Sequence, residues 1–157
     1  MADKQSNGVT KKYFILLEDT TGIEKKKKFG AFRGQNKETY QALKGEIFER
    51  SDKSNDNDTE FIFVSTENPD RSIICVEENL KCLKWKEYNF LIAVASNNER
   101  IRLLESKILK EIMDIEKGDM VTVDLEDGVR TTGKVRYIGP CTGKKIGYYF
   151  GILFEVS

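Results

Sequence analysis

No histidine occurs in this 157-residue chain. Without imidazole there is no Cys-His or Ser-His dyad, no HExxH zinc helix and no histidine proton shuttle among these residues. Cysteine is scarce too: Cys75, Cys82 and Cys141 form no CxxC pair, so the four-ligand spacing of a structural zinc site is missing. Cys75 and Cys82 sit beside Ile74, Val76 and Leu83, a setting that predicts core packing rather than nucleophilic chemistry. No Walker loop or Gly-x-Gly-x-x-Gly turn is present, which leaves nucleotide hydrolysis without a phosphate cradle. The sequence therefore predicts no catalytic residue, no metal ligand and no cofactor. No apolar run approaches the roughly 18 residues that suggest a membrane span. The polar N-terminus Met-Ala-Asp-Lys-Gln-Ser has no signal core. With an odd number of cysteines, it predicts a reducing, cytoplasmic setting.

Net charge is also lacking, with 26 basic and 26 acidic residues and a pI near 6.4. This balance argues against a protein built mainly to hold nucleic acid. The charges are segregated along the chain, however. Residues 1–50 carry 11 basic and 7 acidic groups, residues 51–80 carry 2 and 8, and residues 81–157 carry 13 and 11. A solvated acidic loop accounts for the middle block, because exposed charge pairs add little net stability.

The remaining residues predict short strands first. Residues 1–11 read as a polar, disordered start. Tyr13 to Leu17 is a β-type apolar run closed by Glu18 to Gly22, and Lys25 to Lys28 reads as a solvated strand or turn. Glu46 to Phe48, Glu60 to Val64 and Ser72 to Val76 follow as strands, with a loop at Ser51 to Thr59 and a turn at Asn68-Pro69-Asp70. Leu80, Leu83 and Trp85 finish a further strand. Tyr88, Leu91, Ile92 and Ala95 then fall at helical spacing, although Asn89 to Ala95 alone reads equally as a buried strand, and Ser96 to Glu99 has the form of a capping box that either begins a fresh helix or interrupts the existing one. Ile101, Leu104, Ile108, Leu109 and Ile112 make an apolar stripe that predicts a helix packed on a β unit and stopped at Gly118.

The last forty residues are the most patterned. Met120, Val121 and Val123 alternate with polar partners, Asp127-Gly128 turns the chain, Val135, Tyr137 and Ile138 mark a second strand, and Gly139-Pro140 turns it again. Tyr148 to Val156 reads as a third strand. Short strands on glycine turns predict a small barrel or curled sheet.

Lys117-Gly-Asp, then Gly133-Lys-Val-Arg-Tyr-Ile-Gly139, then Gly147-Tyr-Tyr-Phe-Gly151-Ile-Leu resembles the first half of a CAP-Gly domain, the SH3-like glycine-rich barrel of microtubule-associated and signalling proteins. The motif glycines are Gly133, Gly139, Gly147 and Gly151. More loosely, Tyr13 to Leu17, the Gln41 to Ser51 segment with Lys44-Gly45, and Leu91 to Arg100 resemble the N-terminal region of the cylindromatosis (CYLD) deubiquitinase family. The resemblance implies a mainly β, α+β chain: a tail at 1–11, a β-rich domain at 12–86, a helical segment at 87–116 and a truncated CAP-Gly unit at 117–157. It also implies protein recognition rather than catalysis. In that family, ubiquitin-chain trimming and restraint of NF-κB signalling belong to a C-terminal cysteine protease domain that matches nothing here.

CAP-Gly grooves accept acidic, aromatic-ended C-terminal tails, and the family's Gly-Lys-Asn-Asp-Gly loop is absent from these residues. The unit is accordingly expected to be poorly stable alone and open to association with another chain. The candidate peptide-binding residues are Arg136, Tyr137, Lys144, Lys145, Tyr149 and Phe150, whose cations could meet a carboxylate while the rings hold an apolar side. Expected partners are such tails or signalling scaffolds, with cytoskeletal association. Two other readings stand beside this one. The first is a free-standing CAP-Gly-like adaptor. The second is a small-barrel nucleic-acid binder using Arg130, Lys134, Arg136, Tyr137, Lys144, Lys145, Tyr148 and Tyr149.

Overall fold

Runs of β-branched and aromatic residues at alternating positions build the first half of the chain. The computed structural model describes residues 11–27, 35–51 and 60–155. Among these the protein is α+β and mainly β, and it divides into two units, Met1–Lys84 and Trp85–Ser157. The first holds strands β1 (Tyr13–Leu16), β2 (Thr20–Lys27), β3 (Gln35–Ala42), β4 (Ile47–Arg50), β5 (Phe61–Ser65), β6 (Arg71–Cys75) and β7 (Leu80–Leu83). They form one antiparallel sheet in the order β3-β2-β6-β5-β4-β1-β7.

Ala42 from one edge strand and Leu80 from the other belong to one continuous core with Phe14, Leu16, Phe48, Phe63, Ile73 and Cys75. Phe14 and Phe63 meet edge to face at 5.1 Å inside it. Asn68-Pro69-Asp70 makes the expected turn, with Arg71 N donating to Asn68 O and Asp70 N to the Asn68 side chain.

Two strands depart from the sequence reading. Thr20 to Gly22, expected to close a turn, already belongs to β2, and the backbone at Gly22 lies against the Tyr40 ring of β3. β3 itself carried no apolar signal, because toward its start Asn36 to Thr39 are exposed. Lys28 to Phe32 and residues 52–59 lie outside the described residues. Cys75 is buried as expected, whereas Cys82 is exposed. It sits on β7, the edge strand, opposite Phe14, where only one side has a neighbouring strand.

The second unit contains helices α1 (Trp85–Leu91), α2 (Asn97–Glu105) and α3 (Lys107–Met113), then strands β8 (Met120–Asp124), β9 (Arg130–Gly139) and β10 (Tyr149–Phe154), paired in the order β10-β9-β8. Trp85 opens a helix rather than ending β7, whose pairing to β1 stops at Leu83 opposite Tyr13. Ala95 lies past the end of α1. There the Arg100 guanidinium, 2% exposed, takes over the loose carbonyls: its Nε donates to Leu91 O at 3.0 Å and to Val94 O at 2.8 Å.

Half of the capping box forms. Ser96 Oγ accepts from Glu99 N, while the Glu99 carboxylate turns to Arg102 instead. The single stripe of the sequence is two helices broken at Ser106, which is extended and whose hydroxyl donates to Leu103 O. The break leaves Ile108 out of the buried face, at 55% exposure, and seats Leu109 inside. Gly118 stops no helix, since α3 ends at Met113. Gly118 instead supplies the φ of +98° that the turn into β8 needs. The third strand starts at Tyr149 and ends at Phe154, inside the bounds expected from sequence.

Candidate peptide-binding groove

Two short segments of the second unit are pinned so that they face the start of α1. The first is Ile115 to Lys117. Glu116 N donates to the Asp119 carboxylate at 2.9 Å, and Asp119 is tied to β9 through Val135 N, which donates to its carbonyl at 2.9 Å. Gly118 N completes the clamp by donating to Val135 O at 2.8 Å. Val135 is fully buried, so the segment hangs on a well-anchored point of this sheet.

The second segment is the β9–β10 connection. Two tyrosines hold it. The Tyr137 hydroxyl donates to Pro140 O, and the Tyr149 hydroxyl donates to Lys145 O at 2.9 Å. The motif glycines make room for these rings. A β-carbon at Gly151 would stand 2.9 Å from Tyr137 Cβ, and one at Gly147 would stand 2.9 Å from Tyr149 Cε2. Gly139 has φ +151° and lies under the Tyr137 hydroxyl, a backbone state that a side chain would strain. Gly133 admits Ile152 and Phe154 from β10 in the same way, with contacts of 2.5 and 2.8 Å to a β-carbon.

Between these segments and α1 lies an open hollow of about 790 Å³, within the usual size range of ligand pockets. Trp85, Ile115, Ile138, Pro140, Ile146 and Tyr148 supply its apolar walls, and Lys86, Lys117, Lys144 and Lys145 its cations, against the one carboxylate of Glu116. Trp85 is 65% exposed and Ile146 79%. Side chains this apolar and this open, ringed by amines, are the surface that anionic ligands with an apolar part recognise. The Tyr148 hydroxyl is buried with no hydrogen-bond partner among the described residues, and its ring meets Phe90 and Phe150 edge to face.

Five of the six sequence-predicted binding residues fall into three roles, and Arg136 stands apart from them. Lys144 and Lys145 line the groove. Tyr137 and Tyr149 brace the loop that presents those lysines, and Phe150 backs Tyr148. Arg136 is exposed on β9 as the extra residue of a bulge, since Gly151 faces Tyr137 and Ile152 faces Val135. Trp85 and Lys86 of α1, and Lys117 before β8, were not among the expected residues, because each lies far back along the chain from the loop it faces. A lone tryptophan beside a lysine was the available signal. Among the described residues no three His, Cys, Asp or Glu side chains could hold a metal ion, and no helix is long and apolar enough to cross a membrane. The Cys75 thiol is pushed upward by burial and then by Glu60, which keeps it protonated and unreactive.

Compared with family models, curated proteins and solved structures, the chain finds no match.

Proposed function

We propose that this chain is a non-catalytic protein-recognition segment, and that the groove of its second unit receives an acidic peptide segment carrying an apolar or aromatic side chain. The observation that carries this reading is the apolar wall of Trp85, Ile115, Ile138 and Tyr148 set among four lysines. Carboxylates gain from the amines and a ring gains from the wall, and a long uncharged ligand would gain only the second. On the resemblance to the CYLD family, the segment serves a deubiquitinase whose ubiquitin-trimming machinery lies outside these residues, and recruits that activity to scaffolds of NF-κB signalling.

The lone tryptophan provides the test. Titrating the 157-residue chain with an acidic, tyrosine-ended peptide is expected to change Trp85 emission saturably, and binding should weaken as salt rises. Reversing two rim charges together, Lys144→Glu with Lys145→Glu, is expected to weaken binding about tenfold, or about 1.4 kcal/mol. A folded chain whose Trp85 emission ignores the peptide would remove this reading.

A further inference from the structure

Four sheet edges occur among the described residues, and three of them carry charge within the strand. β3 has Lys37 and Glu38, β7 has Lys81 and β8 has Asp124. Charged side chains on an edge discourage a foreign strand from pairing there. β10, Tyr-Phe-Gly-Ile-Leu-Phe, has none. It is six residues of mostly aromatic and branched character with no proline, a composition that favours strand association. On one side it pairs with β9, and no strand among the described residues pairs with the other.

Neither of the usual guards applies. The bulge in this hairpin gives its extra residue, Arg136, to β9, so β10 has no unpaired residue of its own to interrupt a second ladder. Its apolar side chains are open at the far end, with Leu153 56% and Phe154 37% exposed.

We propose that the free edge of β10 is completed by β10 of a second copy of this chain, antiparallel, in an isologous dimer with one continuous six-stranded sheet. Identical strands match in length, and with no charge inside either strand no like charges are set opposed. The charges that flank the strand are complementary instead. Glu155 follows β10, and Lys144 and Lys145 lie just before it, so antiparallel pairing brings the acidic end of one copy toward the basic end of the other. A partner recognised by charge would find nothing to read on the strand itself.

Sedimentation equilibrium of the 157-residue chain is expected to give twice the 18.0 kDa chain mass, dissociating on dilution. Leu153→Glu faces Lys134 across the hairpin, so it is compatible with the fold, yet it sets a carboxylate on the edge. It should leave only monomer, whereas Leu153→Thr should keep the dimer. Amide exchange of Tyr149–Phe154 in the unaltered chain should slow about tenfold or more from dilute to concentrated solution while β3 amides stay constant. That comparison decides the matter even if Leu153→Glu fails to fold. A chain monomeric throughout, or a dimer in which β10 exchange ignores concentration, would overturn the proposal.

Discussion

Tyr40 shows how a single side chain can be both structural support and strain. Its ring packs on the core of the first unit and lies 4.9 Å from the Arg71 guanidinium carbon, but its hydroxyl is buried without a partner. Burial, and secondarily Glu46, pushes its pKa up to about 12. A raised value in the folded state means that the neutral form is favoured there, so the associated stability is complete below pH about 10 and is lost as pH climbs toward 12. Cys75, also raised, adds a loss of the same sign that begins nearer pH 9. Tyr40→Phe removes the orphan hydroxyl and keeps the ring. In a Cys75→Val background it is expected to raise stability in urea by about 1 kcal/mol and to flatten the alkaline decline. Gly22 is the opposite case. A β-carbon there would stand 2.4 Å from Tyr40 and 2.8 Å from Ser72 O, so Gly22→Ala is expected to cost about 1–3 kcal/mol in the same denaturation. The sequence placed Gly22 in a turn because glycine marks a turn and a close approach equally well.

At the level of elements, legibility followed how one-sided the burial is. β1, β5 and β6 bury Phe14, Phe63 and Ile73 and read as strands from composition. β3 did not, since a polar edge strand whose far half is solvated has no pattern to display. The helical stripe was legible and its break was not, because Ile108 satisfies the spacing while Ser106, an ordinary helix residue by propensity, turns the chain. The two-helix geometry makes a sharp prediction. Leu109→Ala should cost about 2–4 kcal/mol by thermal or chemical unfolding, while Ile108→Glu should change stability by less than about 0.5 kcal/mol. Equal costs at both positions would restore the single helix. Arg100 belongs to this scale as well, since its guanidinium joins the end of α1 to the start of α2 through Leu91 O, Val94 O and Asn97 Oδ1. Arg100→Met is expected to destabilise the second unit by about 2–3 kcal/mol.

Across the whole molecule the two units differ in how much they bury. The first gathers a core of eight buried residues from strands along its sheet, whereas the second buries Leu91, Ile101 and Leu109 on its helices and Val135 as the buried hydrophobic side chain of its three-stranded sheet. Hydrogen exchange on dilute chain is accordingly expected to be slowest in β1, β4 and β5 and markedly faster across β8 to β10. Uniform protection would contradict this. The loop lysines of the groove were legible from sequence, and its opposite wall was not, because periodicity reports neighbours along the chain and α1 meets the loop only through the fold. The strand order of the first sheet also sets an order of events in time. β1 is enclosed by β4 on one side and β7 on the other, and its last register joins Tyr13 to Leu83. During synthesis Phe14, Ile15 and Leu16 therefore leave the ribosome roughly 4–14 s before their final neighbour exists. Until then its first apolar run has no strand to cover that side, and pairing β1 with β7 across so long a stretch of chain is expected to slow refolding.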